Sequence, residues 1–64
     1  MSNLEGLADE VARLEREITD AIFDTVRAQM REDNEGAKEL ERRLAKVRRS
    51  LQKAEALLRG VESN

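Results

Sequence analysis

The side chains able to do chemistry in this chain are few, and their spacing is that of helix faces. Glu17, Asp20 and Asp24 recur at i, i+3 and i+7, which on a helix brings three carboxylates to one side, within reach of a hard cation. A cation cage needs a bent loop or further oxygen ligands beside them, and neither adjoins. A solvated acidic face is the simpler reading, so no metal and no other cofactor is expected. Thr19, Thr25 and Ser50 offer hydroxyls, but the chain has no histidine or cysteine and no base falls next to them in a helical register. Arg42, Lys46, Arg49 and Lys53 form a stripe spaced 4-3-4, with Arg43 and Arg48 beside it. A phosphate backbone needs such charge. Against this, Glu39 and Glu41 border the stripe, the formal net charge is −2, and the single aromatic, Phe23, lies elsewhere. A nucleic-acid face is therefore kept only as an alternative.

Composition agrees with this thin chemistry. The 64 residues are 41% charged and contain no Pro, Cys, Trp or Tyr, a balance that fits long solvated helices. Eight of the 25 apolar residues are Ala, leaving too few large side chains to enclose a substrate pocket. No catalytic activity is expected. Charge divides along the chain: residues 1–36 carry ten acids and four bases, residues 37–64 eight bases and four acids. Two such halves attract if laid side by side. No apolar run approaches the ~20 residues of a membrane span, and the N-terminus lacks the features of a secretory signal, so a cytoplasmic protein is expected.

The elements that must position these residues are two helices. Ser2-Asn3-Leu4-Glu5 fits a capping box. Leu4, Leu7, Val11, Leu14 and Ile18 follow at 3-4 spacing and continue weakly through Ala21, Thr25 and Ala28. A second stripe joins Ala37, Leu40, Leu44, Val47, Leu51, Ala54, Leu58 and Val61. Carried on without a break, the first heptad would put residue 37 on position f, so the two stripes would face different ways; two helices joined by a turn are favoured over one long helix. Between them, Asp33 or Asn34 can cap a new helix and Gly36 weakens a continuous one. Gly60 suits a helix end with Val61 folded back on Leu57. The expectation is a single domain over 1–64: a helix at about 3–31, a turn at about 32–34 and a helix at about 34–59. Its fold class is all-α, an antiparallel, coiled-coil-like hairpin completed by oligomerisation or by a partner.

In an antiparallel pair the seam residues should have numbers with a constant sum, and here it is 65, as in Leu14 with Leu51 or Ile18 with Val47. The flanks then set Asp24 against Arg43 and Glu15 against Arg48. The predicted seam comprises Leu4, Leu7, Val11, Leu14, Ile18, Leu40, Leu44, Val47, Leu51, Leu58 and Val61. Rotated off it, Ile22, Val26 and Met30 repeat every four residues with Phe23 on their flank. A two-helix hairpin cannot cover both stripes. Ile22, Phe23, Val26 and Met30, with Leu57 near the other end, are therefore the predicted partner interface.

The Met-Ser-Asn-Leu-Glu opening, the two-helix plan, the Asp-Asn-Gly-rich turn and the closing Leu51-to-Val61 segment resemble the small E-type co-chaperones of type III secretion needle subunits. The resemblance implies a bacterial cytosolic hairpin that pairs with a helical-repeat chaperone and keeps a filament subunit soluble. The functional expectation is a non-catalytic protein-binding module, an adaptor or co-chaperone for a helical partner. The alternative is a homodimeric four-helix bundle that presents Arg42, Lys46, Arg49 and Lys53 to RNA or DNA.

Overall fold

The computed structural model describes residues 3–31 and 35–60. Two helices, α1 (Leu4–Arg31) and α2 (Glu35–Arg59), pack against each other as a hairpin. At 1.5 Å per residue they are about 42 and about 38 Å long, and the molecule measures 50 × 23 × 12 Å. The shortest dimension matches one helix with its side chains, so no second layer covers either broad face.

Local chemistry explains the helix ends. The Gly6 N–H donates to the Asn3 side-chain oxygen at 3.2 Å, and the Leu7 N–H to the Asn3 carbonyl at 3.0 Å. Asn3 is thus the N-cap of α1. A Cβ at Gly6 would fall 2.6–2.8 Å from the Asn3 amide atoms, so a larger residue there would oblige the capping side chain to shift. Ser2, expected as the cap, lies outside the described residues, as do Asp33 and Asn34, the turn at 32–34, and Val61. Gly36, read as part of the break, stands in the first turn of α2. Each helix has an acid in its first turn, Glu5 or Glu35, and an arginine in its last, Arg31 or Arg59, both favourable to the helix dipole. Gly60 takes φ 77° and donates its N–H to the Leu57 carbonyl at 3.1 Å, closing α2 in a left-handed residue.

The contact line between the helices keeps Thr25 and Ala37 of the predicted stripes but is rotated away from several of the predicted seam leucines. Its buried residues are small: Ala8 with no exposed surface, Thr25 and Ala37. The half-buried side chains Glu15, Ile22 and Gln29 continue the row from Ala8 at heptad spacing, and Glu41, Arg48 and Glu55 do the same on α2. Leu4, Leu7, Leu14, Leu40 and Val47, expected inside the seam, remain 39–47% exposed. Val11, Ile18, Leu44, Leu51 and Leu58 are half-buried. The physical reason is twofold. Two helices alone bury only what lies on their line of contact, and small residues such as Ala8 and Ala37 admit the closest backbone approach. Long polar side chains then bridge the same flank. Arg48 donates to the Thr19 hydroxyl at 3.2 Å, Gln29 to the Glu41 carboxylate at 2.8 Å, and Arg59 to Glu5 at 2.8 Å and Asp9 at 3.0 Å. Residue numbers across these bridges sum to between 64 and 70, a range that contains the predicted 65. The expected flank pairs do not form: Asp24 bonds Arg27 one turn along its own helix, and Glu15 lies against Glu55.

Candidate interaction surfaces

The polar flank has one focal residue. Arg59 holds Glu5, Asp9 and Glu55 at 2.8, 3.0 and 2.8 Å. Glu5 and Asp9 stand one turn apart around Ala8, so the guanidinium reaches over the most deeply buried residue of the hairpin. These bonds raise the Arg59 pKa above its already high ordinary value, the bond to Glu55 first. The spacings Glu5 to Asp9 and Glu55 to Arg59 are visible in the sequence, but their convergence requires the hairpin.

Next to it, Glu15 and Glu55 face each other across the interface. Two carboxylates hydrogen-bond only when one carries a proton. The bond to Glu55 raises the Glu15 pKa, burial and the Glu55 charge adding to the effect, while Glu55 is lowered, first by Glu15 and then by Arg59. Glu15 is thus the proton-holding partner. Its Oε2 is buried and has no hydrogen-bond partner.

The apolar surface falls on different sides of the molecule. By heptad position in an antiparallel pair, residues 8, 15, 22 and 29 and residues 41, 48 and 55 turn to one flank, where cross-helix bridges form. Leu7, Leu14, Leu40, Val47 and Leu57 turn to the other. This second flank carries the exposed leucines and Val47 on both helices, and it is here called the leucine face. Phe23 and Met30 project outward beyond the bridged flank, 56 and 81% exposed. Of the predicted partner interface, Ile22 and Val26 are half-buried beside Phe23 and Met30. Leu57, 60% exposed, is not brought to them; it lies near the open end of the hairpin on the leucine face.

The remaining candidates are surface features. Glu17, Asp20 and Asp24 form no cluster suited to a metal, and none exists among the described residues. Thr25 is buried, and its hydroxyl donates to the Ile22 carbonyl at 2.7 Å, a helix back-bond rather than a nucleophile's setting. In the basic stripe, Arg42 pairs with Glu39 at 3.4 Å, whereas Lys46, Arg49 and Lys53 form no ion pair among the described residues. With Ser50 these three line a shallow depression of α2 open to solvent; other depressions, at Arg13 to Asp20 and at Glu10 to Glu17, are lined by α1 alone. No described helix is long and apolar enough to cross a membrane. No protein-family model matches the chain, and no curated protein or solved structure matches it either.

Proposed function

We propose that this chain is a non-catalytic helical-hairpin interaction module, a small adaptor or co-chaperone that docks a helical partner. The observation that carries this reading is the placement of large apolar side chains. Phe23 and Met30 stand on the outside of a hairpin one helix deep, while the interior holds Ala8, Thr25 and Ala37. Aromatic and methionine side chains on an accessible helix face suit the groove of another helical protein, Met because it adapts to irregular shapes. The resemblance to needle-subunit co-chaperones points to the same class of partner, a helical-repeat chaperone.

The test replaces Phe23→Gln and Met30→Gln together. Both side chains are exposed, so helix content by circular dichroism should stay at the wild-type level. Co-purification of a helical protein from extracts of the source cells should be lost. Capture of the same protein at unchanged yield by the double variant would refute the role of this surface. The nucleic-acid alternative rests on Lys46, Arg49 and Lys53, which form no ion pair among the described residues. Steeply salt-dependent RNA binding by the wild type, abolished by reversing those three charges, would establish it instead.

A further inference from the structure

The leucine face has a pattern that a second copy of the same chain would satisfy. We infer that two hairpins pair through this face about a two-fold axis parallel to the helices, laying α1 of each copy antiparallel on α2 of the other. Such an axis preserves height along the molecule, so residues of α1 and of the second copy's α2 meet when their numbers have the register seen within one chain. At a sum of 68, inside the range of 64 to 70 that the bridges span, three contacts bring a large side chain against a small one. Leu14 meets Ala54 of the second copy, Ala21 meets Val47, and Ala28 meets Leu40. Leu14, Val47 and Leu40 are the exposed members of these pairs. The opposite arrangement, α1 on α1, has no such size match built into its heights.

Charge supplies an independent argument. The row of α1 bordering the leucine face is Glu10, Glu17 and Asp24; the α2 border carries Arg43, and the row a step further out is Glu39, Lys46 and Lys53. Among the described residues none of these three bases forms an ion pair, and Glu10 and Glu17 form none either; Asp24 is held only by Arg27 of its own helix. In the two-fold pair Asp24 comes level with Arg43 of the second copy, Lys46 falls between Glu17 and Asp24, and Lys53 between Glu10 and Glu17. With α1 on α1, acid would meet acid and base would meet base. Like charges across an interface oppose that arrangement.

Area agrees. The chain exposes 5135 Å², against about 4,200 Å² for a compact monomer of its mass by the usual size scaling. The excess is close to the ~800 Å² that one partner contributes to a standard interface. Phe23 and Met30 lie away from this face, so the dimer leaves the proposed partner surface open. The inference does not depend on that surface having a partner.

Sedimentation equilibrium tests it. The wild type should have twice the 7.3 kDa chain mass at tens of micromolar. Variant one, Glu17→Lys with Asp24→Lys, makes both borders basic; variant two, Arg43→Glu with Lys46→Glu, makes both acidic. Each should self-associate at least tenfold more weakly than the wild type, and an equimolar mixture should recover a one-to-one heterodimer. A separate measurement avoids the charge changes: chains bearing Ala21→Cys and chains bearing Val47→Cys, mixed and oxidised, should form mixed disulfides in preference to either self-linked product. A monomeric wild type at 200 μM would overturn the inference. So would undiminished dimerisation of variant one, a mixture that stays monomeric, or cross-linking without preference. None of these outcomes bears on capture of a partner through Phe23 and Met30.

Discussion

Glu15→Gln should stabilise the protein at neutral pH and lose that advantage in acid. Glu15 Oε2 is buried without a partner, and the side chain faces the Glu55 carboxylate. The glutamine amide supplies a permanent N–H donor at the place where wild-type glutamate needs a bound proton. An unsatisfied buried acceptor costs ~1–3 kcal/mol. Glu15 is only half-buried, so the lower end applies, and about 1 kcal/mol corresponds to about 4–8 °C in Tm for a domain of this size. The direction of the pH dependence follows from linkage. Glu15 has a raised pKa in the fold, so the folded state binds the proton more tightly, and wild-type stability increases as pH falls from neutral through that raised value to the ordinary 4.5. Glu55, whose pKa is lowered, acts the other way below 4.5: its contribution is lost as pH falls through its folded value. The variant lacks the first gain, so the Tm difference should be largest at pH 7 and shrink towards zero near pH 4.5. Thermal melts by circular dichroism across this range, at one chain concentration because self-association shifts Tm, give the answer directly. A difference that is constant with pH, or a less stable variant at pH 7, would refute the assignment of Glu15 as the proton-holding partner.

Other substitutions probe the helix ends and the contact line. Asn3→Ala removes the oxygen that accepts the Gly6 N–H and should cost about 1 kcal/mol in chemical unfolding; no change would mean that another residue caps α1. Gly60→Ala meets no neighbouring atom within 4 Å but must adopt φ 77°, so a destabilisation of ~1–2 kcal/mol should come from the backbone alone. Ala8→Leu places a large side chain where no surface is exposed and should lower stability by ~1–3 kcal/mol through overpacking. An unchanged Tm for Ala8→Leu would show that the helices do not meet closely at that point.

The two helices were legible in the sequence because their causes are local, although Asn3 rather than the expected Ser2 caps α1. Apolar spacing, the absence of proline, acids and bases at the proper ends, and Gly60 all act within a turn or two of the residues they govern. The antiparallel arrangement followed from the change of phase between the stripes and the short polar segment that separates them. Which part of each stripe forms the contact line was not legible. An apolar stripe on a helix is more than 100° wide, and alternation of large residues draws attention to its leucines, whereas two helices without a third layer approach through their smallest side chains. The choice of Ala8 over Leu7, and of Ala37 over Leu40, depends on how closely two backbones come and on whether Arg48, Gln29 and Arg59 can bridge the flank they share. Each bridge joins residues 12 to 54 positions apart, so its geometry exists only once the hairpin has closed. Tertiary packing alone therefore decided which leucines stay on the outside, and with them the surface available to a partner.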